Sequence, residues 1–314
     1  MPEEELGRTK ASTLLPYFEK LPSGELVNSQ GLVLRYRYSS PPEAKKALVI
    51  LPGRTEPAMK YAELIRDLEA QGIRAFVLDH QGQGSSQRSL SDPDKGHVAD
   101  FADYVRDVKL WMDTVVLPAT GGQELYLLGH SMGGLIGTYY VRDNPKVFRK
   151  MVLSTPLFEL AAEPVGETVA RGIFWILKTL GKGEDYILGR GPYVPQEDTY
   201  SENFVTHSRA RFDMNKLIYT KRRETALGGP TVNWGLEIID RSREVLSFAE
   251  QIKLPVLLLQ AGLDRYVKPE RQNEFCKLAR DCRISTYPEA YHEILNETDR
   301  IRSRALAELL AFLR

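Results

Sequence analysis

Short apolar runs alternate with longer amphipathic stretches through the first half of this chain. Such runs are typical of parallel strands that are buried on both faces, and the amphipathic stretches are typical of helices that cross between them. The predicted strands are residues 32–38, 47–51, 74–78, 124–128 and 150–154, and the predicted helices are residues 58–70, 98–116 and 131–143. The sequence therefore predicts an α/β fold, a mostly parallel sheet flanked by helices.

The alternation stops after Thr155-Pro156. From there to residue 245 the sequence shows helix-like segments, scattered glycine and proline, and no clear buried strand. The earlier pattern then returns as a strand at 256–260, a helix at 269–278, a strand at 283–287 and a helix at 299–313. We expect a discontinuous core, residues 1–155 and 246–314, with a helical cap of residues 156–245 inserted before the last strands.

The composition of the chain indicates which classes of partner it binds and in which cellular compartment it works. The 42 basic and 42 acidic side chains cancel, so no overall charge attracts the chain to nucleic acid. Two cysteines, Cys276 and Cys282, are too few for a disulfide framework and favour a reduced setting. The first twenty residues lack the features of a signal peptide, and no apolar run reaches the ~20 residues that span a bilayer. We expect a cytoplasmic protein, with any membrane contact being peripheral.

Residues 129–133 read Gly-His-Ser-Met-Gly. In this G-x-S-x-G pattern a tight turn between a strand and a helix lifts the serine hydroxyl clear of the sheet. The buried-strand run 125–128 precedes the motif and the glycine-rich run 133–137 opens a helix, as the pattern requires. Ser131 is therefore the predicted nucleophile, and a serine that only caps a buried helix is the alternative.

A serine hydroxyl needs an adjacent base to become a nucleophile. Where this pattern occurs in α/β proteins, an acid and then a histidine follow the serine in loops after later strands. The histidines are His80, His97, His130, His207 and His292. His292 alone lies in the returning core, directly after the strand at 283–287, so it is the predicted base.

Asp264 follows the predicted strand 256–260 through Ala261-Gly262-Leu263. A carboxylate in this loop would orient the imidazole of His292 and stabilise its cation. The alternative is an ordinary solvent-exposed loop aspartate. We predict Asp264 as the acid of the catalytic set.

Acyl transfer also needs donors for the oxyanion that develops on the substrate carbonyl. The backbone N–H of Met132, which follows the nucleophile, is one predicted donor, and the backbone N–H of Arg54, in the loop after the second core strand, is the other. Gly53 leaves room for a substrate carbonyl, although Pro52-Gly53 is also typical of a plain turn. No metal and no organic cofactor is implied.

Several further segments resemble the lysophospholipase and monoacylglycerol lipase branch of the α/β-hydrolases, and most of all its bacterial lysophospholipase L2 type. The segments begin at Pro52, Lys60, Asp79, Gly96, His130, Thr206, Gly228 and Ala290 and read PGRTE, KYAEL, DHQGQG, GHV, HSMGG, THSR, GGPT and AYHEIL. The resemblance implies a triad of Ser131, Asp264 and His292. Pro52 departs from the monoacylglycerol lipases, which carry a histidine at that position.

The resemblance implies hydrolysis of the acyl ester of a lysophospholipid through an acyl-enzyme. Monoacylglycerol or small esters are alternative substrates, and a non-catalytic lipid-binding protein on the same fold is an alternative of another class. Three roles are open for residues 171–180, RGIFWILKTL: lining an acyl pocket, resting on a lipid surface, or packing as an ordinary helix. Three roles are likewise open for a basic stretch in the cap: binding a phosphate headgroup, binding an anionic membrane, or forming a solvated face. The stretch comprises Arg209, Arg211, Lys216, Lys221, Arg222 and Arg223.

Overall fold

A computed structural model describes residues 2–161, 165–195 and 199–314 and shows an eight-stranded sheet. The strands lie in the order β1-β2-β4-β3-β5-β6-β7-β8; β1 and β2 run antiparallel to their neighbours, and all others are parallel. Their bounds are β1 Ser23–Val27, β2 Val33–Tyr38, β3 Lys46–Leu51, β4 Ile73–Asp79, β5 Glu124–His130, β6 Lys150–Ser154, β7 Val256–Ala261 and β8 Cys282–Tyr287.

Helices cover both faces of the sheet. Their bounds are α1 Glu3–Lys20, α2 Ala62–Glu69, α3 Phe101–Trp111, α4 Leu117–Thr120, α5 Met132–Asp143, α6 Glu167–Thr179, α7 Arg209–Lys221, α8 Val232–Glu244, α9 Pro269–Leu278 and α10 Asp299–Phe312. A π-helical segment, Met112–Val116, joins α3 to α4. Short 3₁₀ turns lie at Ala58–Tyr61, Tyr200–Glu202, Arg223–Thr225, Val245–Gln251 and Ile294–Asn296.

The central strand β3 shows why the apolar runs are continuous rather than alternating. Val49 and Leu51 point into the hydrophobic layer on one face, and Leu48 and Ile50 point into the layer on the other. All four side chains are fully buried. Parallel strands covered by helices on both faces need apolar residues at every position, and the predicted fold class, an α/β-hydrolase fold, is confirmed.

Two elements at the start of the chain have no counterpart in the sequence predictions. Helix α1 contains Pro16 and buries few of its described side chains, chiefly Leu14, Leu15 and Phe18. Strand β1 is an edge strand whose residues are alternately exposed and half-buried. The described side chains of α1 and those of β1 bury too little apolar surface to leave a strong hydrophobic period in the sequence.

The described residues of the segment 156–245 contribute α6, α7 and α8 and no strand of the sheet. Arg211 on α7 ties this segment to the core, because its guanidinium bonds both carboxylate oxygens of Glu63 on α2 at 2.9 and 3.0 Å. The same guanidinium bonds Asp299 on α10 at 2.9 Å. We keep the expected division into a core and a cap, residues 156–245, as a proposal.

The expectation of reduced cysteines is wrong in this structure, because Cys276 and Cys282 form a disulfide. Cys276 lies near the end of α9 and Cys282 begins β8, and the short connection between them brings their Cα atoms to 5.0 Å. Such a Cα separation is ordinary for a disulfide. In the described ranges, no helix has the combined length and apolar character needed to cross a bilayer.

Candidate active site

Ser131 lies at a sharp turn between β5 and α5. Its backbone has φ 49° and ψ −118°, a conformation that few residues other than glycine adopt. The backbone N–H of Ser131 donates to the carbonyl of Ser154 at 3.0 Å, and its own carbonyl accepts from Leu157 at 3.0 Å. These bonds to the neighbouring strand and the loop after it fix the turn, and the strain they hold is typical of a functional site.

Two glycines let the turn pack against its surroundings. A Cβ atom on Gly129 would lie 2.6 Å from the Cα atom of Gly134. A Cβ atom on Gly133 would collide with the carbonyl group of Leu51 at the end of β3. The G-x-S-x-G pattern is therefore required by close backbone contacts on both sides of Ser131.

His292 and Asp264 are joined by a hydrogen bond between Nδ1 and Oδ2 of 2.7 Å. The other oxygen of Asp264 accepts from the backbone N–H groups of Tyr266 at 2.8 Å and Val267 at 3.1 Å. Burial alone would raise the pKa of Asp264, but the contact with His292 and the backbone donors outweigh it and lower the pKa. Asp264 is thus an ionised acceptor that orients the imidazole.

The loop after β3 runs beside the serine. A Cβ atom on Gly53 would lie only 3.2 Å from the Cβ atom of Ser131. The next residue along the loop is Arg54, so its backbone N–H lies close to Ser131. Met132 is the first residue of α5, where backbone N–H groups have no partner within the helix. The structure therefore brings both predicted oxyanion donors to the neighbourhood of Ser131.

Ser131 and His292 line one cavity of about 550 Å³, between the carboxyl ends of the parallel strands and the segment 156–245. Gly53 and Arg54 line the same cavity. Apolar side chains form much of its wall, namely Leu157, Leu160, Val194, Val205, Leu227 and Trp234. Charged and polar side chains line the rest of it, and a cavity of this size with both kinds of wall suits a small organic substrate.

A buried ion cluster that the sequence does not predict supports the loop after β3. Glu56 accepts from the backbone N–H of Gly53 and from the hydroxyl of Tyr61, both at 2.6 Å. Lys60 lies between Glu56 and Glu293 and bonds to both carboxylates. Burial opposes ionisation of Glu56, but His130 and Lys60 outweigh it and lower its pKa to about 2. Glu56 lies in the loop before the 3₁₀ turn Ala58–Tyr61 that contains Lys60, so helical spacing does not mark this pair in the sequence.

Thr155 holds the backbone of His292, the predicted base, and no pattern in the sequence predicts this contact. Its φ of 44° is a strained value for a β-branched residue. Its hydroxyl donates to the backbone carbonyl of His292 at 2.9 Å and lies 3.2 Å from Nδ1 of His130. The ring of His130 packs 4.9 Å from that of His292, and burial lowers the pKa of His130 even though Glu56 opposes this.

The remaining histidines make contacts elsewhere. His97 bonds to the hydroxyl of Thr231 at 2.9 Å, and His207 bonds to Glu297 at 2.8 Å. His80 is fully buried, and burial lowers its pKa to about 4. None of the three lines the cavity that holds Ser131.

Comparison with known proteins gives consistent matches over nearly the whole chain. The family model described as serine aminopeptidase, S33 (Hydrolase_4) matches residues 42–299. Lysophospholipase L2 of Escherichia coli K12 is 35% identical over 85% of this chain and 80% of its own. Human monoglyceride lipase is 28% identical over 98% and 94%. A crystal structure of monoglyceride lipase from Saccharomyces cerevisiae shares the fold, with a TM-score of 0.74, 18% identity and 94% coverage of both chains.

Replacing Asp264 by Asn tests the hydrogen bond to His292. The amide carries no charge to stabilise an imidazolium and no longer selects the Nδ1–H form of the ring, so ester hydrolysis should fall on the order of 10³- to 10⁴-fold while the fold persists. Release of p-nitrophenol from a short-chain ester measures the rate, and circular dichroism checks the fold. Asp281→Asn, at an exposed position before β8, is the matched control. An unchanged rate in Asp264→Asn would show that another carboxylate orients His292.

Proposed function

The chain belongs to the serine aminopeptidase S33 family of α/β-hydrolases, and we propose that it is a serine ester hydrolase that releases the fatty acid from a lysophospholipid. The observation that carries this proposal is the single cavity that Ser131 and His292 both line, with His292 hydrogen-bonded to Asp264. This is the arrangement that acyl transfer through a serine requires.

In the proposed reaction Ser131 attacks the ester carbonyl while His292 takes the proton of its hydroxyl. The oxyanion then accepts hydrogen bonds from the backbone N–H groups of Arg54 and Met132. His292 returns the proton to the leaving alcohol, and a water molecule, activated by the same imidazole, hydrolyses the acyl-enzyme. Asp264 keeps its charge throughout and stabilises the imidazolium.

The names of the relatives favour a lipid ester over a peptide. The family description names an aminopeptidase, but lysophospholipase L2 and monoglyceride lipase are the relatives that match most of this chain. The apolar wall of the cavity, with Leu157, Leu160 and Trp234, suits a single acyl chain. Monoacylglycerol is the second candidate substrate, since human monoglyceride lipase matches 98% of the chain. The hydrogen-bonded His292 and Asp264 argue against a purely lipid-binding role.

Labelling with a fluorophosphonate tests the enzyme, and matched substrates test the lipid. The wild type should be labelled at Ser131, as located by peptide mass spectrometry, and should hydrolyse lysophosphatidylcholine faster than the monoacylglycerol of the same acyl chain. Ser131→Ala should lose both the label and the hydrolysis, whereas Ser247→Ala, a serine exposed outside the cavity, should keep both. Labelling of another residue would overturn the proposal, and faster hydrolysis of monoacylglycerol would replace the substrate.

We also propose that α6 rests on the lipid surface from which the substrate comes. Its exposed face carries apolar residues at helical spacing, Val169, Ile173, Ile176 and Leu180, of which Leu180 is 68% exposed. Trp175 lies beside them and is 55% exposed. An amphipathic helix with such a face binds at a membrane interface. Nine residues separate α6 from residues 189–194, which line the cavity that holds Ser131.

Cosedimentation with phosphatidylethanolamine and phosphatidylglycerol vesicles tests this contact. Replacing both Ile176 and Leu180 by Asp places charges on the exposed face and should reduce the bound fraction several-fold, because charged groups lose hydration at the interface. Leu117→Asp, at an exposed position on α4, is the control for added charge. Equal binding of all three proteins would rule out α6 as the contact.

A further inference from the structure

The side chain of Arg54 reaches from the loop after β3 to the cap. Its guanidinium donates to the carbonyl of Gly228 at 2.5 Å and lies 5.1 Å from the ring centre of Trp234. A Cβ atom on Gly96 would lie 2.5 Å from the Nη2 atom of Arg54, so the guanidinium fills the space that this glycine leaves. The side chain is therefore held in one place at the wall of the cavity.

Arg54 carries a positive charge without an acidic partner. Among the described residues, no carboxylate forms a salt bridge with it, and its Nε is buried with no hydrogen-bond partner. Burial lowers the pKa of Arg54 to about 10; Tyr104 opposes the shift and Arg190 adds to it. The group stays protonated at neutral pH, and a partly buried charge without a carboxylate partner is stabilised when an anion binds.

A second cation lies on the same side of the cavity. Arg190 is exposed and lines the cavity, and a Cβ atom on Gly229 would lie 2.6 Å from the Cβ atom of Arg190. Arg54 and Arg190 thus flank the pair Gly228-Gly229. The acidic side chains that line the cavity, Glu56 and Glu293, both bond to Lys60.

The position of Arg54 matches the dimensions of a lysophospholipid. The same number of covalent bonds separates the ester carbonyl carbon of a 1-acyl lysophospholipid from its phosphorus as separates the backbone nitrogen of an arginine from its guanidinium carbon. Each path spans roughly 7 Å when extended. With the carbonyl oxygen bound at the backbone N–H of Arg54, the phosphate can reach the guanidinium of the same residue when the glycerol part of the lipid runs alongside the arginine side chain.

We propose that the guanidinium of Arg54, assisted by Arg190, binds the phosphodiester group of the lysophospholipid headgroup and sets the preference for a phosphate-bearing over a neutral monoacyl lipid. This inference rests on the proposed function and names the headgroup contact within the same site. Guanidinium groups bind phosphate oxygens through paired, charge-assisted hydrogen bonds. A neutral glycerol headgroup gains nothing comparable and leaves Arg54 without an anion.

The test compares kcat/KM for octanoyl lysophosphatidylcholine and octanoylglycerol, both below their micellar concentrations so that no interface contributes. Arg54→Met should lower the ratio of the two values roughly ten- to hundredfold, the range for a lost hydrogen bond to a charged group. The backbone N–H remains in the variant, and any loss of oxyanion binding lowers both rates and cancels in the ratio. Arg190→Met should lower the ratio less. Arg149→Met should leave it unchanged, because Arg149 directly precedes β6 at the amino ends of the parallel strands and does not line the cavity.

Competition separates a headgroup site from a site for free anions. Glycerol 3-phosphocholine should inhibit hydrolysis of a neutral p-nitrophenyl ester competitively in the wild type, and should inhibit Arg54→Met much more weakly. If Arg54→Met does not fold, Arg54→Lys keeps the charge without the paired donors and should show a smaller fall in the ratio.

An unchanged ratio in the folded variants would overturn the headgroup contact. Equal loss of both rates would do the same, because it would make Arg54 a structural link between the loop and the cap. Inhibition by inorganic phosphate with an unchanged ratio would indicate a free-anion site and would also overturn it. A wild type that hydrolyses neither lipid would instead remove the proposed function itself, while hydrolysis of both lipids at one rate in every variant removes only the role of Arg54.

Discussion

The strained turn at Ser131 is the constraint on which the rest of the structure depends. A φ of 49° at a serine persists only where the surrounding structure imposes it. Here β5 and α5 pack so closely that Gly129 has no room for a Cβ atom, and the carbonyl of Ser154 on β6 holds the backbone N–H of Ser131. The buried parallel sheet provides the rigidity that keeps the serine hydroxyl at the cavity.

Buried polar side chains hold His292 and the loop after β3, the other proposed catalytic groups. Thr155 fixes the backbone of His292, and Glu56 fixes the backbone of Gly53 beside the proposed oxyanion donor. Both supports are buried, so their hydrogen bonds are strong and an unpaired partner would cost free energy. The site therefore combines a proposed nucleophile positioned by backbone strain with a proposed base and a proposed oxyanion loop that buried polar contacts position.

The sequence predicted the parts of the fold and the site that depend on local patterns. Strands buried on both faces leave continuous apolar runs, and the turn at Ser131 requires glycine at fixed positions, so local sequence patterns predict both. Local patterns do not predict contacts between distant segments. The bond from Arg54 to Gly228 joins residues far apart in the chain, as does the one from Lys60 to Glu293, and no periodicity marks either pair.

A crystal structure of the protein with a fluorophosphonate bound to Ser131 tests the account of the site most directly. We expect a phosphonyl oxygen at about 2.7–3.1 Å from the backbone nitrogens of both Arg54 and Met132, with Nε2 of His292 beside the phosphonylated oxygen of Ser131. An adduct whose oxygen lies away from these two N–H groups, or a His292 that no longer bonds to Asp264, would contradict it.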